Sequence, residues 1–146
     1  MPSIDPTPER FAALFGARDV PGTIVMINLL RFRQRAAYPP DFDARPCSGG
    51  DAYQRYAEVA LQKVYAAGGR ALWLGNVAMS VIAPEGEEWN EAVLVEYPSL
   101  KAFLDMIGDP EYRAVTVHRT AALADSRLIC TTTVMNAFAP PRKQVE

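Results

Sequence analysis

The sequence predicts an α+β fold, because two strand–helix–strand units follow one another along the 146-residue chain. This order, βαββαβ, is typical of a ferredoxin-like antiparallel sheet that carries both helices on one face. The other sheet face is then left without a helical cover, and its predicted side chains are largely apolar. A homodimer that buries this open face is therefore expected. The predicted elements are, in order, Thr23–Arg33, Tyr53–Ala67, Arg70–Ile82, Glu91–Tyr97, Ser99–Gly108 and Arg127–Val134.

The composition indicates one domain over residues 1–146. Hydrophobic residues make up 49% of the chain and the net charge is only −2, which argues against disorder and against a nucleic-acid-binding surface. The longest uncharged apolar run, Thr23–Leu30, is too short to cross a bilayer, and residues 1–10 do not resemble a secretory signal. Cys47 and Cys130 lack metal-ligand spacing. We therefore expect two reduced thiols in a cytoplasmic protein that holds no metal.

The first strand is predicted to be central in the sheet, because it is apolar on both faces. An accessory helix within residues 1–22 precedes it and opens at Thr7-Pro8-Glu9. Residues 34–50 follow as a long irregular loop, which is either a functional lid or poorly ordered. One face of the strand carries Ile24, Met26, Asn28, Leu30 and Phe32, and the other carries Val25, Ile27, Leu29, Arg31 and Arg33.

The next helix has the clearest periodicity in the chain, with Asp51 as its predicted N-cap and Gly68-Gly69 at its end. We then expect a long strand with a bulge at Gly75, and two further helices capped by Ser99 and Asp109. Residues 135–146 form either a tail or a swapped arm. The predicted helix Tyr53–Ala67 has an inward face that consists of Tyr53, Tyr56, Ala57, Ala60, Leu61, Val64 and Tyr65.

Several segments between about Thr23 and Thr131 carry a resemblance to a known family. They are Met26–Phe32, Gly68-Gly69-Arg70 with Trp73, Tyr97-Pro98-Ser99, Asp109–Tyr112 and His118–Arg127. In these segments the chain resembles the family known as domain of unknown function 1330, in the dimeric α/β-barrel superfamily. The resemblance implies a homodimer whose sheets face each other, but no agreed activity; cofactor-free monooxygenases, isomerases and haem-dependent enzymes are among the wider relatives. We expect no haem, because His118 is predicted to lie in a helix.

Two polar residues of the first strand are candidate ligand-binding groups. Asn28 interrupts an apolar face, so its amide needs partners: either a structural hydrogen bond or a bound ligand that it orients. Arg31 lies on the opposite face of a regular strand. It could clamp a carboxylate or phosphate, or form a structural ion pair with Glu96.

Trp73 and Asn76 are candidates on the next strand, and a bulge at Gly75 would bring both to one cavity. Trp73 could equally belong to the core or to a dimer interface. Glu96, on the third strand, could be a catalytic base, or it could pair with Arg31, Arg70 or Arg33.

His118 and Arg119 form a polar pair on the last helix. His118 could be a general acid or base near neutral pH, or it could fix its helix to a neighbouring element. Arg119 is a candidate ligand-binding residue beside it. The chain carries no P-loop and no dinucleotide-binding motif, so no cofactor is predicted.

Two classes of function therefore stay open. The first interpretation is a homodimer of unknown function with a small-molecule pocket and no assignable reaction. The alternative is a cofactor-independent monooxygenase or isomerase that acts on a small apolar or aromatic substrate, with His118 or Glu96 moving a proton.

Overall fold

The computed structural model describes residues 2–16 and 20–140. Its four strands form one antiparallel sheet in the order β2-β3-β1-β4, which confirms the predicted α+β, ferredoxin-like fold. The strand β1 is central, as expected. The elements are α1 (Pro8–Gly16), β1 (Ile24–Phe32), α2 (Gly49–Ala66), β2 (Arg70–Asn76), β3 (Glu91–Tyr97), α3 (Leu100–Ile107), α4 (Pro110–Ala122) and β4 (Leu123–Thr132).

The main core lies between one face of the sheet and the helices α2, α3 and α4. Ile24 and Met26 of β1 are buried there against residues of all three helices. A second, smaller core lies at the other end of β1 and joins Leu30 to Ala52, Ala122 and Leu123. Burying these side chains supplies the main driving force for folding. None of the residues of the N-terminal helix α1 is fully buried.

The inward face of α2 is narrower than predicted. Ala52, Tyr56, Ala60 and Val64 are buried at four-residue spacing. Leu61 and Tyr65, which were expected to face inward, are exposed. The apolar face of α2 that the periodicity predicts is therefore wider than the face that is buried in the fold.

The N-cap of α2 is Ser48 and not Asp51, because the helix begins two residues earlier than Asp51. The Ser48 hydroxyl accepts a hydrogen bond from Asp51 N at 3.0 Å. The other predicted caps are confirmed. Ser99 accepts from Ala102 N, Asp109 accepts from Glu111 N and Tyr112 N, and Gly68 has the left-handed φ of 83° that ends α2.

Two strand boundaries differ from the prediction by more than two residues. The strand β2 ends at Asn76 because its partner β3 begins at Glu91, directly opposite. The apolar residues up to Ile82 therefore have no strand to pair with and lie exposed in the connection. The last strand begins at Leu123, directly after α4, and not at Arg127, since the chain enters the β1 ladder at Leu123.

The loop between β1 and α2 is held at its two ends by backbone hydrogen bonds. Arg33 N donates to Ala122 O at 2.8 Å, Ala37 N donates to Ala121 O at 2.8 Å, and Gly49 N donates to Arg33 O at 3.0 Å. These bonds fasten both stems of the loop to the end of α4. The part of the predicted tail beyond residue 140 lies outside the described residues.

Candidate functional site

The candidate acid–base residues Glu96 and His118 lie on different sides of the sheet. In the antiparallel ladder Glu96 stands opposite Val25 and Arg70, on the open face. Arg70 Nε donates to Glu96 Oε1 at 3.1 Å, and both side chains are largely buried. His118 belongs to α4, in the helix layer. The two residues therefore do not share a site.

Asn28 and Arg31 are also separate. Asn28 lies on the helix-covered face, where its Nδ2 donates to Met26 O and to Val93 O at 3.4 Å each. Arg31 is exposed on the other face and stands opposite Asp125 in the β1–β4 ladder. The predicted alternative of an Arg31–Glu96 ion pair is wrong, because Arg70 occupies the Glu96 carboxylate.

Trp73 and Asn76 do not border one cavity. The irregularity in β2 lies between Ala71 and Trp73, so the predicted bulge at Gly75 is wrong. With regular pairing from Trp73 to Asn76, these two side chains point to opposite faces. The Trp73 indole lies across Gly75, where any Cβ would overlap the ring. Gly75 therefore serves the close approach of an aromatic ring, and Trp73 remains half exposed on the open face.

Arg119 ties the N-terminal segment to α4. Its Nη1 donates to Ile4 O at 2.6 Å, and the neighbouring Thr120 hydroxyl donates to Asp5 Oδ1 at 3.3 Å. Ser126 completes the attachment by donating to Ser3 O. These contacts give Arg119 a structural partner within the chain.

His118 is the one candidate that the fold surrounds with further chemically active side chains. Tyr38, from the loop between β1 and α2, places its hydroxyl 2.7 Å from His118 Nδ1. Arg55 of α2 donates from Nη1 to the same hydroxyl oxygen at 3.1 Å. Phe42 stacks on Tyr38 and meets His118 edge-on, with ring centroids 5.5 and 5.8 Å apart. We call Tyr38, Arg55 and His118 the Tyr–Arg–His network.

The hydrogen bonds of this network favour one placement of its protons. Because Arg55 donates to the tyrosine oxygen, the hydroxyl proton is free to point at His118 Nδ1, which then accepts. The imidazole is therefore assigned as neutral, with its proton on Nε2. Burial, and then the positive charge of Arg55, hold the pKa of His118 below its usual value of 6.5.

Sequence reasoning did not assign Tyr38 and Arg55 to a site. Tyr38 lies within the long loop and Arg55 within α2, and neither belongs to a sequence motif. The contact between Tyr38 and His118 spans 80 residues, so no local pattern could reveal it. The aromatic residues in a loop of this length were the single available signal.

A row of tyrosines lies between the sheet and the helices, beneath the Tyr–Arg–His network. Tyr56 and Tyr112 join their hydroxyls at 2.7 Å, and the ring of Tyr53 lies 5.3 Å from that of Tyr56. Burial raises the pKa of Tyr53 to about 12 and raises that of Tyr56 as well. Burial also raises the pKa of the nearby Glu91 carboxyl. The core between the sheet and the helices thus contains several tyrosine hydroxyl groups.

An apolar groove opens on the other side of the sheet. It has a volume of about 410 Å³ and lies between the sheet and the segment that follows β4. Its floor is formed by Val25, Ile27 and Leu94, and its wall by residues 131–136 with Phe138. Within residues 2–16 and 20–140, no group of three or more His, Cys, Asp or Glu residues could hold a metal ion. No helix in the described part of the chain is long and apolar enough to span a membrane.

The chain is similar to two solved structures of one other protein. The chain is 40% identical to the RPA0582 protein of unknown function from Rhodopseudomonas palustris, with a TM-score of 0.84 over 93% of this chain and all of that one. The methylated form of the RPA0582 protein gives 41% identity and the same TM-score, over 93% of this chain and 98% of that one.

A dimeric ferredoxin-like protein of unknown function from Bacteroides fragilis is a more distant likeness. It is 18% identical, with a TM-score of 0.48 over 78% of this chain and 99% of that one. Nothing about the assembly of this chain follows from it. No curated protein matches the chain.

The family model for the domain of unknown function DUF1330 matches residues 47–133, more than half of the chain. The match begins after β1, so it is shorter at its N-terminal end than the resemblance that began near Thr23. Of the segments that carried the resemblance, Met26–Phe32 lies before the match and the others lie within it. The chain belongs to the DUF1330 family, whose function is unknown.

Proposed function

We propose that the protein is a homodimer that pairs through the open face of the sheet and holds a small, largely apolar molecule in the groove at that face. The observation that carries the proposal is the row of apolar residues on this face that no helix among the described residues covers. Val25, Ile27, Leu29 and Leu94 are half buried at its centre, and Ile129 is 49% exposed at its edge. Contiguous exposed apolar surface of this kind is typical of interaction sites.

The charges around this face favour a second copy of the chain as the partner. Glu96 is neutralised by Arg70, and Arg127 pairs with Asp125 at 2.8 Å and with Glu87 at 3.5 Å. The charges of Glu96 and Arg127 are thus compensated within the chain, and the exposed Arg31 stands outside the apolar centre of the face. An apolar surface with paired charges at its rim is self-complementary, as a two-fold interface requires.

The groove supports the binding part of the proposal. Its volume of about 410 Å³ lies within the usual range for small-molecule sites. The lining is mostly apolar with several threonine hydroxyls, which suits a compact apolar or aromatic molecule that has one or two polar groups. A partner subunit on the open face would close the groove from the outside.

The alternative function, a cofactor-independent monooxygenase or isomerase, needs a group that can move a proton. His118 suits this role better than Glu96, because its imidazole is neutral and its Nε2 has no hydrogen-bond partner among the described residues. The Glu96 carboxylate is held by Arg70. Because His118 lies in the helix layer, such a substrate would bind on the helix side and not in the apolar groove.

The candidate ligand-binding residues also lie on different sides of the sheet. We propose that Trp73 contributes to the dimer interface, since it is half exposed on the open face, and that Arg31 lies near the rim of that interface. Asn76 stands opposite Glu91, on the helix side of β2. Asn28 and Arg119 have partners within the chain, which supports structural roles for both. The unpaired Cys47 and Cys130 support a reducing compartment such as the cytoplasm.

The dimer can be tested with two neighbouring residues of β4. Ile129 and Leu128 are 49% and 47% exposed, but they point to opposite faces of the sheet. We expect Ile129→Arg to produce a monomer in analytical ultracentrifugation, because it places a charge in the proposed interface. Leu128→Arg, which adds the same charge on the other face, is expected to leave the dimer intact.

A wild-type chain that sediments as a monomer at micromolar concentration would contradict the proposed dimer. So would an Ile129→Arg variant that dimerises as well as the Leu128→Arg control. Circular dichroism on both variants shows that any change in mass occurs in a folded protein.

Ligand binding can be tested by a thermal-shift screen of small aromatic acids and lactones. A ligand at 100 times its Kd should add about 2.7 kcal/mol of stability. Phe138→Ala removes one wall of the groove and is expected to reduce the shift. Phe15→Ala, on the exposed face of α1, serves as the control that keeps it. A hit whose shift is equal in both variants binds elsewhere and argues against the groove.

A further inference from the structure

Residues 34–48, between β1 and α2, are held to the helix layer at two levels. The stems are fixed by backbone bonds: Ala36 N donates to Cys47 O at 2.9 Å, and Ala37 N donates to Ala121 O at 2.8 Å. The tip is fixed by side chains, since Tyr38 contacts His118 of α4 and Arg55 of α2 also donates to Arg45 O at 3.3 Å. The attachment of the tip therefore depends on the Tyr–Arg–His network.

We propose that the Tyr–Arg–His network holds the tip of the loop against the two helices only while His118 is neutral. Protonation of His118 then releases the tip. In the closed arrangement the Tyr38 hydroxyl donates to His118 Nδ1 while its oxygen accepts from Arg55. A protonated imidazole carries a proton on Nδ1 and can no longer accept. The hydrogen bond from the Tyr38 hydroxyl to His118 Nδ1, which joins the loop to α4, is thereby lost.

The charges around His118 oppose any rearrangement that would keep the loop closed. The groups that face the imidazole are Tyr38 from the loop and Arg55 from α2. On its own helix, the neighbouring Arg119 is engaged with Ile4 O. No carboxylate in the described part of the chain lies within ion-pair distance of His118 or Arg55; Asp51, one turn before Arg55, acts on it only at longer range. Protonation would therefore place two positive charges around one hydroxyl group.

Release of the loop would uncover the smaller core. Tyr38 and Cys47 pack, partly buried, against the cluster that contains Leu30, Ala52 and Leu123. Tyr53 belongs to the same contact group, and it forms the outer end of the tyrosine row. An open loop would thus give solvent, or a ligand, access to the polar layer between the sheet and the helices.

The direction of the pH dependence follows from the lowered pKa of His118 in the folded state. The closed loop is stabilised when His118 is neutral. The contribution of the network to the stability of the closed loop is therefore fully present above pH 6.5, the ordinary pKa of histidine. It is lost as the pH falls through the lowered pKa of the folded state. The loop is therefore expected to be closed at neutral pH and to open under mildly acidic conditions.

The chain offers a direct measurement because His118 is its only histidine. Nitrogen NMR of the imidazole reports both the pKa and the tautomer of this one residue. Hydrogen exchange of the peptide that covers residues 33–48, corrected for intrinsic rates, reports the opening. We expect exchange to become faster as the pH falls from 6.5 to the lowered pKa of folded His118, by at most about tenfold per pH unit, and to level off below that pKa.

Two variants separate this mechanism from general acid sensitivity. His118→Gln is expected to abolish the pH dependence of loop exchange between pH 5 and 8. Tyr38→Phe is expected to give fast exchange at every pH, because the bond to the imidazole is absent. Tyr65→Phe, on the exposed face of α2, should behave as wild type.

Three results would overturn the proposal. One is equal protection of the loop on both sides of the imidazole titration. Another is pH-dependent opening that persists in His118→Gln. The third is a Tyr38→Phe variant as well protected as wild type. The measurement does not depend on dimerisation, since a monomeric Ile129→Arg variant should show the same opening.

Discussion

Replacement of Gly49 by alanine is expected to destabilise the fold by about 3 kcal/mol or more, at the upper end of the usual cost of overpacking. Gly49 is buried at the start of α2, where the loop stem, α2 and the end of α4 meet. An added Cβ would lie 2.8 Å from Arg33 N and even closer to Arg33 O and Ala122 O. Backbone atoms cannot rotate away as a side chain can, so the elements themselves would have to separate.

The adjacent glycine provides the matched control. A Cβ at Gly50 would meet only Ser48 Oγ, at 3.8 Å. Gly50→Ala should therefore be neutral or gain up to about 1 kcal/mol from the higher helix propensity of alanine. Urea unfolding followed by circular dichroism measures both variants. Equal stabilities for the two alanine variants would show that the three elements do not meet as tightly as the structure indicates.

Truncation of Leu30 to alanine is expected to cost about 2–5 kcal/mol, the range for removal of a buried leucine side chain. Leu30 is fully buried in the smaller core, against Ala52, Ala122 and Leu123. Two of these neighbours are alanines, whose side chains are too short to fill the resulting cavity. The surrounding backbone is held by the loop-stem hydrogen bonds, which further limits collapse.

Leu128 is the control for this prediction, because it lies in the neighbouring strand and is 47% exposed. Leu128→Ala should cost less than about 1 kcal/mol, as is usual for surface positions. Chemical denaturation of both variants gives the comparison. A loss below 1 kcal/mol for Leu30→Ala would mean that the smaller core contributes little to stability.

The predicted caps show where local sequence information was sufficient and where it was not. Ser99, Asp109 and Gly68 were correctly assigned, since a cap acts on backbone groups within three or four residues of itself. Asp51 was wrong because Ser48 offered a competing oxygen three residues earlier. The backbone bond from Gly49 N to Arg33 O helps to fix where the helix begins, and this bond crosses the loop.

The candidate site was predicted only in part, because its members come from distant parts of the chain. His118 was singled out as a titratable residue on a helix, but its interpretation depends on Tyr38, 80 residues away. Glu96 had three possible arginine partners in the sequence. The antiparallel register places Arg70 directly opposite and so decides among them.

The sequence by itself determined the type and order of the elements, the central position of β1 and the unequal covering of the two sheet faces. These properties follow from side-chain periodicity and from short-range backbone interactions, which the order of residues contains directly. The tertiary structure decided where β2 and β4 begin and end, which arginine pairs with Glu96, and that Tyr38 and Arg55 meet at His118. Each of these depends on strand register or on a contact across the fold, and such contacts exist only once the separate elements have packed together.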